Sequence, residues 1–299
     1  MTASDLIPAR FDPAALLAWT PARAFFVDPD ACRRYAAATN EADPERWAMG
    51  VAPPVFGVVA TVPHVHEVLQ QNVPERARAE NRSVHGEHDI HYRRPLVPGS
   101  TLLGRGRLYG VQPKSTGTIL VTLVEMADPD TGGVVHEQYF VNFLRGVTTD
   151  KAIGQVPSPH RLPDAASRCE PAATTSYGID ADQTYRYAEA SGDHSIYHLD
   201  DAAARAAGFD GIIVHGLCTM AFAGRAVVAG ACGGDPARLR RLAVRFSRPM
   251  YPGHTMTTTL WPPEAPEDSP AKFRFQVADD NGATVITDGL ATVAPAGEE

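Results

Sequence analysis

The densest group of polar side chains in the sequence lies between Ser191 and Asp200. Asp193 and His198 are five positions apart within it, so one continuous helix would place them on different faces. Gly192 is a natural helix end, and the segment is therefore predicted to turn and to bring both side chains toward one point. A carboxylate and an imidazole that meet at one water molecule can act as an acid–base pair near neutral pH. Asp193 and His198 are the candidate catalytic residues.

The pair His215-Gly216 directly precedes a long apolar segment that begins at Leu217. This segment carries one charge, Arg225, and is too short to cross a bilayer, so it is predicted to be a helix buried inside the protein. Gly216 would then lie at the helix N-terminus, where backbone N–H groups lack helical partners and the dipole is positive. Such an N–H can stabilise a developing enolate or tetrahedral oxyanion. Close packing alone would also explain a glycine at this position.

A metal site built from Asp193, His194, His198 and His215 is not expected. No spacing in this region matches a helical HxxxH pattern with a nearby carboxylate, although His194 and His198 are four positions apart. A single histidine in a turn is more often a surface group, which is our interpretation of His194.

An internal repeat reveals the elements that must position these residues. The pattern Arg-Pro-x-x-Pro-Gly-x-Thr occurs at residues 94–101 and again at 248–255. Upstream of the two blocks, Tyr35 and Tyr187 begin similar segments, Tyr-Ala-Ala-Ala-Thr-Asn and Tyr-Ala-Glu-Ala-Ser-Gly. The chain is therefore predicted to contain two copies of one fold.

Each copy continues into strands that form hairpins. In the first copy, alternating segments flank the turn 130–133, and in the second copy they flank the turn 279–282. Thr-Gly-Gly and Asn-Gly between segments of period two are typical of hairpin turns. Each half is thus predicted to run from a helix into several long antiparallel strands. We predict an N-terminal domain at 1–148, a linker rich in Pro, Asp and Ser at 149–173, and a C-terminal domain at 174–299.

The two copies differ in their polar groups. Only the second copy has the short helix that follows Leu199, for which Asp200 or Asp201 is the expected N-cap and Gly208 the expected end. In the first copy, Phe56 stands where His215 stands in the second copy.

Glu41 stands roughly where Asp193 stands. The first half is therefore predicted to have the same fold as the second half but to lack the catalytic side chains.

Composition limits the classes of protein to which this chain can belong. Of its 299 residues 44% are apolar, which is enough to fill two cores and excludes disorder as the main state. The net charge of -8 argues against a general binder of nucleic acid or anionic membranes. Four scattered cysteines without a CxxC pattern predict reduced thiols, and the first residues lack the features of a secretory signal. We expect a soluble, cytoplasmic protein.

The motif around the catalytic candidates resembles that of a known family. Residues 191–200 (SGDHSIYHLD), Gly208-Phe209 and residues 213–219 (IVHGLCT) are similar to the hydratase motif of MaoC-like, (R)-specific type 2 enoyl-CoA hydratases. The usual form of this motif is SGDxNPxHxD, then GF, then PIxHGLCT. His85-Gly86-Glu87 and the two Arg-Pro-x-x-Pro-Gly blocks also resemble the two-part members, so the resemblance covers most of the chain.

The resemblance implies an α+β double hot-dog fold, in which two tandem antiparallel sheets each wrap a central helix and form an intramolecular pseudo-dimer. It also implies that Asp193 and His198 are catalytic and that Gly216 provides an oxyanion-hole N–H. The degenerate first half would house the acyl chain. No metal, nucleotide or flavin is required, and no P-loop or GxGxxG pattern occurs in the sequence.

The chain departs from the family pattern beside the dyad. Ser195 replaces the usual Asn, and Ile196-Tyr197 replaces Pro followed by an aliphatic residue. Serine can still form hydrogen bonds but reaches less far than asparagine, which bears on the orientation of the dyad. Ser195 and His215 are candidate substrate-binding residues.

Coenzyme A carries phosphates, so an acidic protein needs basic groups near the mouth of the pocket. Arg245 and Arg248 are the candidates for this role, as are Arg240 and Arg241, and each would otherwise be a solvated charge at a strand end.

The reaction expected from this resemblance is the reversible hydration of a trans-2-enoyl-CoA to a (3R)-hydroxyacyl-CoA. Two alternatives stay open at this stage: a hot-dog acyl-CoA thioesterase, and a subunit that binds acyl-CoA without catalysis. The expected partner is an acyl-CoA thioester, with neither nucleic acid nor membrane as a further partner. A homodimer is left open because one chain already supplies both halves of a hot-dog pair.

Overall fold

The computed structural model of the protein describes residues 5–48, 50–163, 169–263 and 270–297. The strands are β1 (Ile7–Pro8), β2 (Arg23–Phe26), β3 (Ser83–Tyr92), β4 (Thr101–Lys114), β5 (Gly117–Ala127), β6 (Val134–Arg145), β7 (Val147–Thr148), β8 (Ile153–Gly154), β9 (Ala173–Gly178), β10 (Leu239–Phe246), β11 (Thr255–Trp261), β12 (Ala271–Asp279) and β13 (Thr284–Val293). The helices are α1 (Pro29–Ala37), α2 (Val58–Asn72), α3 (Glu75–Ala79), α4 (Gln183–Ser191), α5 (Asp201–Ala206) and α6 (Gly216–Gly230). Short 3₁₀ helices cover Pro13–Leu16, Pro44–Ala48, Ile196–His198 and Pro236–Arg238.

The chain forms two compact units, and the segments of the two units alternate along the sequence. The first unit comprises Met1–Phe25, Ala60–Ile90 and Thr101–Pro159, and the second comprises Phe26–Val59, His91–Ser100 and His160–Glu299. The domain boundaries expected from the repeat, with a linker at 149–173, stay a prediction. Residues 164–168 of that linker lie outside the described part of the chain.

The first unit is built on an antiparallel sheet with the strand order β2-β4-β5-β6-β3. In β4, buried and exposed residues alternate over most of the strand, which is the pattern of a sheet with one face on a core. Helix α2 contributes Val68 to this core, where it packs with Leu108, Leu120 and Leu144 of the sheet.

The second unit has an antiparallel sheet with the strand order β10-β13-β12-β11-β9. Helix α6 packs against this sheet and is buried on almost every side, as its apolar sequence predicted. Both predicted hairpins are confirmed, because β5 pairs with β6 and β12 pairs with β13 in antiparallel registers. No helix within the described ranges has the length and apolar character needed to cross a membrane.

The segment between α4 and α6 contains most of the candidate catalytic and substrate-binding residues. Helix α4 ends at Gly192, whose positive φ of 77° is the left-handed conformation that glycine adopts at little cost. Helix α5 begins after Asp200, whose carboxylate accepts a hydrogen bond of 2.7 Å from the Ala203 N–H. Asp200 rather than Asp201 is thus the N-cap, while Asp201 pairs with Arg205 on the helix surface.

This difference between the two aspartates can be measured. Asp200→Ala removes a side-chain cap and should lower the free energy of unfolding by about 1 kcal/mol. Asp201→Ala removes only an exposed ion pair and should have little effect. Urea unfolding of both variants beside the unchanged protein tests the assignment, and equal midpoints for the two variants would contradict it.

Candidate active site

Asp193 lies in the turn that follows α4, and backbone groups hold it there. Its Oδ1 accepts a hydrogen bond of 3.1 Å from the Ser195 N–H, and its own N–H donates to the Ser191 hydroxyl at 3.2 Å. The bond from Ser195 to the carboxylate comes from the main chain. The replacement of the usual asparagine by serine therefore leaves this contact with Asp193 in place.

His198 is oriented by a backbone carbonyl. Its Nδ1 lies 2.8 Å from the Ile213 oxygen. Because a carbonyl oxygen only accepts, Nδ1 must carry the hydrogen, and Nε2 of the neutral ring is left with its lone pair. The role of the Ile213 carbonyl could not be predicted from the sequence, because every residue type has a main-chain carbonyl.

His215 is fixed in the same manner, but through its other nitrogen. Its Nε2 lies 2.9 Å from the backbone oxygen of Asp193, so Nε2 carries the hydrogen and Nδ1 has the lone pair. Its ring stacks on that of His198, with 3.8 Å between the centroids and 28° between the planes. The side chain is buried, and its Nδ1 has no hydrogen-bond partner among the described residues.

The three side chains meet at one place in the second unit. One carboxylate oxygen of Asp193 and one ring nitrogen each of His198 and His215 lie within 4.8 Å of one another. The turn expected from Gly192 thus brings Asp193 and His198 together across their separation in sequence. His194 does not belong to the cluster, and its exposed imidazole lies 4.0 Å from Glu189.

Burial keeps both imidazoles of the cluster neutral near pH 7. It lowers the pKa of His198 below its usual range, although the hydrogen bond to Ile213 and the charge of Asp193 act in the opposite direction. Burial, reinforced by the nearby His198, lowers the pKa of His215 to about 4. Neutral rings have free lone pairs, so the cluster can accept protons from a bound molecule.

Gly216 is the first residue of α6, at the helix N-terminus as the sequence predicted, and His215 is the N-cap residue. No acceptor within the described residues takes the Gly216 N–H, which is ordinary for the first turn of a helix. A Cβ atom at this position would meet the ring of Phe246 at 3.3 Å, so close packing also favours glycine. Both explanations of this glycine, a free N–H for an oxyanion and close packing against Phe246, therefore agree with the structure.

The candidate residues for binding coenzyme A lie at the end of β10 and in the loop that follows. Arg245 and Arg248 are both exposed. The Met250 oxygen in the same loop accepts a hydrogen bond of 2.8 Å from the Val214 N–H, directly before His215. Arg240, at the other end of β10, donates a hydrogen bond to the Ala237 oxygen.

Tyr35 and Tyr187, which begin the similar segments of the two repeats, meet each other. Their hydroxyl oxygens are 3.0 Å apart, and burial raises the pKa of both groups, so one protonated hydroxyl donates to the other. Tyr187 lies 5.0 Å from the His215 ring, and Tyr35 lies 5.5 Å from the Phe56 ring. Equivalent residues of the repeats are thus arranged alike, with phenylalanine in place of histidine in the first copy.

Glu41 takes part in a network of structural contacts, a hydrogen bond and an ion pair, and not in a second acid–base pair. Its Oε2 accepts a hydrogen bond of 3.0 Å from Trp47 Nε1 and lies 3.3 Å from Arg225 Nε on α6. Arg225 also donates to the Thr39 oxygen, and its guanidinium lies 4.6 Å from the centre of the Tyr177 ring. The side chains of Glu41 and Arg225 are both largely buried.

Comparison with known proteins shows to which family this chain belongs. A model described as a MaoC like domain matches residues 161–272, and a model of the FAS1-like dehydratase domain region matches residues 23–137. The 3-hydroxyacyl-thioester dehydratase Y of Mycobacterium tuberculosis is 34% identical over 213 residues, which cover 69% of this chain and 71% of that protein. The chain belongs to the MaoC-like dehydratase family.

Two further relatives carry hydratase names. The probable enoyl-CoA hydratase 2 of Dictyostelium discoideum is 26% identical over 251 residues, which cover 81% of this chain and 80% of that protein. The peroxisomal multifunctional enzyme type 2 of Drosophila melanogaster is 32% identical over 203 residues, but these are only 32% of its own length. This MaoC-like protein is therefore an enzyme of the hydratase and dehydratase class.

Solved structures support the same fold. The MaoC-like dehydratase from Phytophthora capsici superimposes with a TM-score of 0.79 at 26% identity and covers 94% of this chain and 97% of its own. A protein from Mycobacterium tuberculosis described as having a double hot-dog fold matches with a TM-score of 0.52 at 14% identity, over 97% of each chain. The α+β double hot-dog fold expected from the sequence is confirmed.

The network around Glu41 predicts a stability effect without a catalytic one. Glu41→Gln removes the negative charge beside the buried Arg225 and should lower the free energy of unfolding by about 1–3 kcal/mol. Turnover of an enoyl-CoA substrate by the folded variant should stay within about twofold, a change of less than 1 kcal/mol in activation energy. Urea unfolding and a hydration assay measure the two effects.

Glu45→Gln is the matched control, because Glu45 forms an exposed pair with Arg33. It should change neither quantity appreciably. A folded but inactive Glu41→Gln protein would overturn the view that the first copy is non-catalytic.

Proposed function

We propose that this enzyme hydrates trans-2-enoyl-CoA thioesters reversibly to (3R)-hydroxyacyl-CoA. The observation that carries the proposal is the convergence of an Asp193 carboxylate oxygen with a ring nitrogen of His198 and one of His215, which is the N-cap of a buried helix. The relatives named enoyl-CoA hydratase and 3-hydroxyacyl-thioester dehydratase support an acyl thioester as the substrate.

In the proposed reaction, Asp193 and His198 hold one water molecule between them. The water oxygen forms a bond to C3 of the alkene while one of its protons moves to the dyad. The electron pair of the double bond moves toward the thioester, and C2 takes a proton from the dyad on the same face. One water is added in total, and the reverse sequence dehydrates the hydroxyacyl thioester.

His198 is suited to the role of the base. The Ile213 carbonyl fixes its Nδ1–H tautomer, so the lone pair on Nε2 is available to the water. Because burial lowers the pKa of His198, the ring is neutral at physiological pH and can accept a proton. An acid–base pair of this kind contributes a rate factor of about a hundred or more.

Negative charge develops on the thioester oxygen as C3 is attacked. The Gly216 N–H is the proposed donor to this oxygen, since it lies at the positive end of α6 and is not used within the helix. One such donor stabilises a transition state by roughly 3 kcal/mol. Arg245 and Arg248 are proposed to contact the phosphates of coenzyme A, and Ser195 and His215 to line the substrate site.

The dyad predicts the effect of two substitutions. Asp193→Asn and His198→Gln each remove one acid–base group while preserving size, so hydration of crotonyl-CoA should fall by about a hundredfold or more. The loss of absorbance of the enoyl thioester measures hydration, and circular dichroism checks that both variants fold. Chiral analysis of the product tests the (3R) configuration.

His194→Gln is the matched control for these variants, because this neighbouring histidine is exposed and outside the cluster. Its activity should match that of the unchanged enzyme. Full activity in either dyad variant would refute the mechanism. Release of free thiol without loss of the alkene would instead identify a thioesterase.

The rate of hydration should depend on pH through His198. As the pH falls, the ring gains a proton and can no longer act as a base, so kcat/KM should decline on the acid side. Because burial lowers its pKa, the midpoint of this decline should lie below the usual histidine value of about 6.5. Initial rates with crotonyl-CoA between pH 5 and pH 8 measure the midpoint. A midpoint well above the usual value would contradict burial as the dominant influence.

A further inference from the structure

His215 connects the dyad to helix α6, because its backbone and its side chain contact different parts of the site. Its carbonyl oxygen accepts a hydrogen bond of 3.0 Å from the Thr219 N–H in the first turn of α6. Its side chain extends to the turn after α4, where Nε2 donates to the Asp193 carbonyl at 2.9 Å. The same ring stacks on His198, with 3.8 Å between the centroids. One residue thus contacts both members of the dyad and directly precedes Gly216.

Packing alone does not account for a histidine at this position. The side chain is 1% exposed, and its Nδ1 has no hydrogen-bond partner among the described residues. A buried acceptor without a donor lowers stability. In the first copy, Phe56 fills the equivalent position without such an acceptor, and its ring lies 5.5 Å from that of Tyr35. What a histidine adds is the Nε2–H that binds the Asp193 carbonyl.

We infer that His215 is a positioning residue of the hydratase site, which acts through Asp193 and His198 and not on the reacting atoms. Its Nε2–H fixes the main chain from which the carboxylate projects, and its ring covers one face of the His198 imidazole. A displacement of about 1 Å at a catalytic group can lower a rate by about a hundredfold. This role goes beyond lining the substrate site, and it rests on the proposed function.

Two substitutions separate the two contacts of the side chain. His215→Phe keeps a ring against His198 but has no donor for the Asp193 carbonyl, and it should fold because it copies the residue of the first repeat. His215→Gln places an amide N–H near the position of Nε2 but lacks the ring. Each should lower kcat for crotonyl-CoA by about tenfold or more. KM should stay within about twofold, since no contact with substrate is lost.

The pH profile distinguishes the two variants. Burial lowers the pKa of His198, and the stacked ring of His215 covers one face of it. His215→Gln opens that face to water, so the acid-side midpoint of kcat/KM should rise by about half a pH unit or more. His215→Phe keeps the face covered and should leave the midpoint unchanged. Titration of the His198 ring by NMR measures the same pKa without substrate, and the signal missing from His198→Gln assigns it.

His64→Gln is the matched control. His64 is also a buried histidine, and it shares a hydrogen bond of 2.8 Å with Thr20 in the first unit. Its replacement should lower the midpoint of urea unfolding without changing kcat or the acid-side midpoint. If the His215 variants behave in the same way, His215 serves stability alone and the positioning role is refuted.

The remaining outcomes separate this inference from the proposed function. A rise in KM at unchanged kcat would show that His215 only lines the substrate site, and would overturn the positioning role. A protein that hydrates crotonyl-CoA and keeps both kcat and the His198 titration in the two variants refutes the inference while the proposed function stands. A protein that hydrates no enoyl thioester, but whose His198 titration moves in His215→Gln and not in His64→Gln, refutes the reaction and supports the control of His198 by His215.

Discussion

Two backbone carbonyls determine what the polar cluster of the second unit can do. Those of Ile213 and Asp193 accept hydrogen bonds from His198 and His215, and this fixes which nitrogen of each ring retains a lone pair. Because the carbonyls belong to the segments on either side of the cluster, the main chain itself sets the protonation pattern. The turn at Gly192 and the cap of α6 position those segments. Chemistry at this site therefore depends on backbone geometry as much as on the catalytic side chains.

Much of this architecture could be predicted from the sequence, for identifiable reasons. The hairpins follow from alternating residues around Thr-Gly-Gly and Asn-Gly, and the buried α6 follows from an almost uncharged segment. Glycine at position 192 was a sound indication of a turn, because its positive φ is seldom adopted by other residues. The stacking of His215 on His198 and the role of the Ile213 carbonyl could not be predicted. These contacts join segments that are separate in sequence and depend on no particular residue type.

The sequence shows that the first copy lacks the polar groups of the second copy. It does not show what the residues in their places do in the structure. Glu41 could be read only as a degenerate counterpart of Asp193. In the structure it accepts from Trp47 and pairs with Arg225 of α6, so a carboxylate at an equivalent position serves packing instead. Arg225 appeared in the sequence only as the single charge in an apolar helix. A buried charge of this kind needs a partner, and the spacing along the chain did not identify which residue provides it.

The hydrogen bond between Tyr35 and Tyr187 joins the same position of the two repeats. Identical subunits that meet about a twofold axis form such self-matching contacts between separate molecules. Here both partners belong to one polypeptide, so dilution cannot dissociate them, and the contact is independent of protein concentration. Tethering also releases the two sides from the requirement to be identical. One side of the pair can keep histidine beside its tyrosine while the other holds phenylalanine, an asymmetry that no homodimer of a single repeat could encode.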